Sequence, residues 1–225
     1  MVVCPETYYE LYLKDKTAEE ILKTVRSLKR RITKLKRIVE NPEYCGMIKP
    51  SENTQIRCNR EYLERAKQAL AEIGVAYQPT KSELKAAEFN KNIQYITNVT
   101  LSIGGYFYGN DEYDVALMDN DALYSFSHSE CGLTPEKETV MDIDMTKEEF
   151  LEEFSRLHIG EWRKHYNTKR FGYTVCDGTH WSLGINYSKD IKPVRIFGDN
   201  AYPYNFNSLK DLMGCEDFEG EDEDE

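Results

Sequence analysis

Apolar residues recur at alternating steps of four and three from Ile21 through Val25, Leu28, Ile32 and Leu35 to Val39. This is the seam of a coiled-coil-like helix about three heptads long. Thr17-Ala18-Glu19-Glu20 before it is a capping box, and Asn41-Pro42 after it is a stop. A second helix is expected over Asn59–Ile73, with Leu63, Ala66 and Leu70 on one face and Gly74 as its C′ residue. The two predict an N-terminal antiparallel helical hairpin, an arm of residues 1–79. The connection from Asn41 to Cys58 is long for such a hairpin and contains Gly46, Pro50 and Ser51, as an ordered loop or a mobile tip would.

Thr80-Lys81-Ser82-Glu83 is another capping box and predicts a short helix to about Asn90. The period then falls to two. Tyr95, Thr97, Val99, Leu101 and Ile103 alternate with Gln94, Asn98, Thr100 and Ser102, as in a half-buried strand that Gly104-Gly105 and Gly109-Asn110 should break. Strands near Tyr113–Met118 and Ala122–Ser127, joined by Asp119-Asn120-Asp121, predict an antiparallel meander. A third capping box, Thr146-Lys147-Glu148-Glu149, opens a helix whose Phe150, Leu151, Phe154 and Leu157 should cover one sheet face. Trp162 to Tyr166 reads as a connector, and Cys176-Asp177-Gly178 as a tight turn. Two closing strands follow, one with Trp181, Leu183, Ile185 and Tyr187 and one ending at Phe197-Gly198, then an aromatic and Asn-rich corner from Asn200 to Phe206 and a short helix. The expected class is α+β, with an antiparallel sheet and helices on one face over residues 80–214. An acidic disordered tail is expected at 215–225.

Composition narrows this picture. With 225 residues, 40% hydrophobic and 31% charged, the chain can bury a core without disulfides. No apolar run approaches the roughly 20 residues of a membrane span. Met1 to Glu6 has neither the basic start nor the apolar stretch of a signal peptide, so a cytoplasmic setting with six reduced cysteines is expected, and the sequons at Asn98 and Asn186 carry no consequence.

The net charge of −11 is unevenly spread. Between Ile21 and Arg37 stand Lys23, Arg26, Lys29, Arg30, Arg31, Lys34, Lys36 and Arg37 without an acid, and Cys215 to Glu225 holds eight acids without a base. Such cations repel one another unless an anion compensates, which nucleic-acid phosphates, an acidic protein face or the chain's own tail could do. A solvated outer face is as common a reason for such a run. No aromatic in Ile21–Arg37 offers base stacking, whereas backbone contact with a duplex stays open.

Other candidate chemistry is sparser. His128 and Cys131 with Cys176 and His180 would form a Cys₂His₂ zinc set if their turns met, but the spacing departs from the usual pairs, and ordinary buried thiols and loop histidines are the favoured reading. A Cys176 or Cys131 nucleophile with His180 or His165 as base lacks a helix N-terminus to favour the thiolate. Asp142 and Asp144, or Asp119 and Asp121, could bind a divalent cation, although acids before Thr146 also complement a helix dipole. No phosphate-binding glycine loop, H-E-x-x-H or G-x-S-x-G occurs, and no cofactor is implied. Tyr202 and Tyr204, beside Asn200, Pro203 and Asn205, suit a contact surface, against a structural corner sealed by Phe206.

Pro50-Ser51-Glu52 with Cys58 to Ala66, and Asp177-Gly178-Thr179 with Trp181 and Gly198 to Pro203, resemble uncharacterised proteins of anaerobic Gram-positive bacteria and their mobile elements. The resemblance implies a bacterial, cytosolic setting and brings no activity with it. The expected function is that of a non-enzymatic interaction protein whose basic helical arm engages a protein or nucleoprotein partner, with oligomerisation through the arm open. Alternatives are direct nucleic-acid binding by that helix and a cysteine- or zinc-dependent enzyme.

Overall fold

A computed structural model describes residues 3–46, 49–105, 109–130, 139–175 and 177–215. The chain forms two compact units, Met1–Thr80 and Lys81–Glu225.

The first unit holds α1 (Pro5–Tyr12), α2 (Ala18–Val39) and α3 (Glu52–Glu72). Helix α2 starts where its capping box predicts: the Thr17 N–H donates to Glu20 Oε2 at 2.9 Å and the Glu20 N–H to Thr17 Oγ1 at 3.4 Å. Of its seam residues Ile21, Val25, Leu28, Ile32 and Leu35 are buried, and Val39 at the end is half-buried. Helix α3 begins seven residues before the expected Asn59, because Ser51 is its cap and accepts from the Thr54 N–H at 3.3 Å. Its first two turns are too polar to announce themselves. Yet Glu52, Ile56, Asn59, Leu63, Ala66 and Leu70 continue a four-three spacing and are buried, on the face that packs on α2. Gly74 ends the helix as expected, at φ +77°, with its N–H on Ala71 O and the Val75 N–H on Leu70 O, both at 2.9 Å.

Helix α1 has no apolar period, and the hairpin expectation omitted it. Tertiary contacts hold it: Tyr8 stacks on Tyr62 at 4.1 Å, and the Tyr62 hydroxyl donates to Val3 O at 2.7 Å. The Arg65 guanidinium lies 3.8 Å from the Tyr9 ring centroid. Helix α3 is therefore the middle of a three-helix unit, with one face on α2 and another, bearing Tyr62, on α1.

The second unit contains α4 (Lys81–Asn92), β1 (Ile96–Gly105), β2 (Gly109–Leu117), β3 (Ala122–Ser129), β4 (Thr139–Val140), α5 (Lys147–Arg156), β5 (His165–Asn167), β6 (Thr179–Tyr187), β7 (Val194–Asp199) and α6 (Phe206–Leu212). The strands form one seven-stranded sheet in the order β4-β3-β2-β1-β6-β7-β5. Every pairing is antiparallel except β5 with β7, so the expected all-antiparallel sheet gains a parallel edge. That edge is the segment read as a connector. Its Tyr166 is buried beside Trp181, at 5.8 Å between ring centroids, and this packing recruits three residues into the sheet.

Two further differences concern local register. Val99 and Leu101 face the core as expected, but a bulge between Ile96 and Asn98 breaks the alternation, leaving Ile96 buried and Thr97 exposed. Gly104-Gly105 and Gly109-Asn110 do not interrupt the strands; they pair with each other at the end of the β1–β2 hairpin. A Cβ on Gly104 would stand 2.7 Å from Gly109 O, so only glycine permits that close approach.

One sheet face forms the core. Val99, Leu101, Val115, Tyr124, Trp181, Leu183 and Ile185 cluster with Phe150 and Phe154 of α5 and Leu209 of α6. Helix α5 has its predicted capping box, with the Thr146 N–H donating to Glu149 Oε2 at 2.9 Å and the Glu149 N–H to Thr146 Oγ1 at 3.2 Å. The corner after β7 is structural. Asn200, at φ +51°, accepts from the Thr179 N–H at 2.9 Å; Asn205 accepts from the Trp162 indole at 3.2 Å and donates to Leu157 O at 2.8 Å. Cys215 is buried in this core, and the acidic residues 216–225 lie outside the described residues.

Candidate functional site

Helix α2 is built from one seam and one stripe. At about 100° per residue, Lys23, Arg26, Arg30, Lys34 and Arg37 fall within roughly 40° of the line opposite the buried seam. All five are exposed, and none of their side chains makes an ion pair or hydrogen bond with another described residue. The stripe spans about 21 Å along the helix axis. Successive members stand three or four residues apart, close enough for like charges to destabilise the isolated helix by a few tenths of a kcal/mol per pair. The macrodipole offsets part of this, since Glu19 and Glu20 occupy the first turn and Arg37 the last.

The other three cations of the predicted set flank the seam. Lys29 donates to the Tyr77 hydroxyl at 3.2 Å, with its ammonium 5.9 Å from that ring's centroid. Arg31 donates to Gln55 Oε1 at 3.4 Å, and Lys36 is half-buried. The eight expected contact residues thus divide into five presented outward and three turned to the unit's own surface. The seam that could have served a coiled-coil dimer is occupied within the chain.

The connection before α3 is ordered at its described end by a buried acid. Glu52 is 1% exposed and accepts a short hydrogen bond from the Tyr44 hydroxyl, which pushes the Tyr44 pKa up to about 12.

The remaining predicted residues do not assemble. Cys131 and Cys176 lie outside the described residues. His128 Nδ1 is 2.7 Å from Asp111 Oδ1, while His180 Nδ1 is 2.6 Å from Asp199 Oδ1. These histidines stand on β3 and β6 with β2 and β1 between them, and their registers assign them to opposite faces. Asp142 and Asp144 are exposed and precede α5 in a segment outside any strand. Among the described residues no group of three or more His, Cys, Asp or Glu could hold a metal ion. The Tyr202 ring stacks on Trp181 at 6.4 Å and lies 4.9 Å from Phe206, and Tyr204 is half-buried.

The outer sheet face was overlooked as a unit. Asn98 donates to Asp114 at 2.6 Å, Thr100 to Asp114 at 2.7 Å, Asn186 to Asn98 at 3.2 Å and Arg195 to Asn186 at 3.0 Å, a network crossing four strands. The signal that could have found it was the polar half of each two-residue alternation, read across strands instead of along them.

Among the described residues no helix is long and apolar enough to cross a membrane. No family model, curated protein or solved structure matches the chain.

Proposed function

We propose that the chain is a non-enzymatic interaction protein of the bacterial cytoplasm, whose helical unit binds an acidic protein or nucleoprotein partner along the outward stripe of α2. The supporting observation is the segregation of that helix. Five exposed cations without a hydrogen-bond or ion-pair partner among the described residues stand opposite an apolar seam buried from Ile21 to Leu35. A helix that needed charge only for solubility would interleave acids with its bases, as i,i+4 pairs stabilise it. A matching anionic surface would relieve the repulsion and accelerate association.

Duplex nucleic acid is the second reading, favoured by a straight cationic stripe with no aromatic in it. Pull-down from a native bacterial lysate should lose its partner when Lys23, Arg26, Arg30, Lys34 and Arg37 are all changed to Gln; an unchanged set of captured proteins overturns the proposal. Fluorescence anisotropy with a labelled DNA duplex separates the two readings. Contact with the backbone requires log K to fall with log salt at about 0.9 per neutralised phosphate, and each Gln substitution to flatten that slope.

A further inference from the structure

A second cluster, independent of α2, lies on the outer face of β6, β7 and β5. The register places Ser182 opposite Phe197 and Phe197 opposite His165, with Gly184 opposite Arg195 in the adjoining row and His180 opposite Asp199 in the next. Each group is held in place. The Phe197 ring, 40% exposed, stacks on His165 at 5.5 Å and 19°. Asp199 binds Nδ1 of His180, which leaves Nε2 as the unengaged ring nitrogen of an exposed imidazole. Arg195 donates to Asn186 Oδ1 and to Val194 O, both at 3.0 Å. Its guanidinium crosses Gly184, where a Cβ would stand 3.2 Å from Nη1. The hydroxyl of Ser182, in the middle row, has no hydrogen-bond partner among the described residues.

An exposed aromatic plate, a planar donor fork and an imidazole–carboxylate pair around one open hydroxyl form a defined set of binding groups. The plate accepts an apolar ring face. The fork, the imidazole, the carboxylate and the hydroxyl supply both donors and acceptors at its rim. Arg195 and Asp199 balance in charge, and the chain as a whole is at −11, so nothing here recruits a polyanion. A neutral ring with an apolar face and hydroxyls at its edge matches both the shape and the charge.

We propose that Arg195, Phe197, Asp199, His180, Ser182 and His165 form a binding site for an uncharged saccharide, with a sugar ring stacked on Phe197. Titration of the full chain with millimolar cellohexaose, maltohexaose or chitohexaose, followed by ¹⁵N–¹H NMR, tests it. At least one saccharide should shift the amides of Ser182, Phe197 and Asp199. Phe197→Ala should weaken that binding about tenfold. Arg195→Gln, which keeps the aromatic plate, should weaken it several-fold and serves if the first variant does not fold. The proposal is overturned if none of the three saccharides shifts these amides, if the shifts survive in the folded variants, or if an oligothymidine strand perturbs the patch while the saccharides do not.

Discussion

The stripe on α2 and the outer face of the sheet are both polar surfaces backed by an apolar layer, yet they treat their polar groups in opposite ways. On α2 the five outward cations make no hydrogen bond or ion pair with other described residues. On the sheet Asn98, Thr100, Asp114, Asn186 and Arg195 bind one another at 2.6–3.2 Å. The geometry of the elements accounts for part of the difference. Cross-strand neighbours stand about 5 Å apart with side chains side by side, so short polar residues can pair. Long side chains on a helix diverge into solvent and meet only their i±3 and i±4 neighbours, and for Arg26, Arg30 and Lys34 every charged neighbour at those spacings has the same sign. The sheet pairs these polar groups with one another, and the Ser182 hydroxyl on the same face has no hydrogen-bond partner among the described residues. The helix keeps these five charges unpaired among the described residues, which is the basis of the proposed partner contact.

If the two surfaces belong to units with separate cores, mutations should separate them. Both tryptophans, Trp162 and Trp181, belong to the second unit, so their fluorescence reports that unit alone. Phe154 is 0% exposed, and Phe154→Ala should lower the stability of the Trp-monitored transition in urea by about 3–5 kcal/mol. The helical signal of the first unit should persist through it; loss of both signals together would break the comparison. Gly198→Ala places a Cβ in the Trp181 indole and should cost about 1–3 kcal/mol with an altered emission maximum.

In the first unit, Asn59 is 3% exposed on the seam; its amide nitrogen donates to Gln55 O at 2.6 Å, and its Oδ1 lacks a hydrogen-bond partner among the described residues. Asn59→Leu should therefore stabilise the helical unit, by about 1 kcal/mol in thermal unfolding followed by circular dichroism. Destabilisation would show that the bond to Gln55 O outweighs the unpaired oxygen.

Smaller effects come from the caps. Thr146→Ala should cost about 1 kcal/mol. The hydrogen bonds from Thr146 hold the Glu149 carboxyl below its ordinary 4.5. A depressed folded pKa stabilises the fold above the ordinary value, and that contribution fades as pH falls through the lower one. Glu149→Gln should accordingly flatten the acid limb of the stability profile of the second unit, and an unchanged limb would refute the linkage. Neutralising the α2 stripe should change stability least, within about 0.5 kcal/mol per site.

What was legible in the chain followed from local physics. Thr17 with Glu20 and Thr146 with Glu149 each close a hydrogen-bonded box within four residues, and Gly74 ends α3 through its own backbone. What was illegible depended on distant partners. Helix α1 carries no apolar period and is held by Tyr62. Strand β5 is three residues long and exists because β7 offers an edge and Trp181 a neighbour for Tyr166. The first turns of α3 look polar because Glu52 and Asn59 occupy seam positions, where burial overrides the usual preference.

For the candidate sites the division is similar. The eight cations of α2 were plain in the sequence, and the helical period alone identifies the five that point away from the seam. The cluster around Ser182 was not plain, since His165, His180 and Phe197 are separated along the chain and meet only across β5, β6 and β7. The sequence by itself determined the α+β class, the starts of α2, α4 and α5, the seam and the charge of α2, because each is set by residues within one or two turns of each other. Tertiary structure decided the sheet order, the parallel edge, the three-helix arrangement and which His pairs with which Asp. Those depend on contacts between residues far apart in the chain, and no local spacing encodes them.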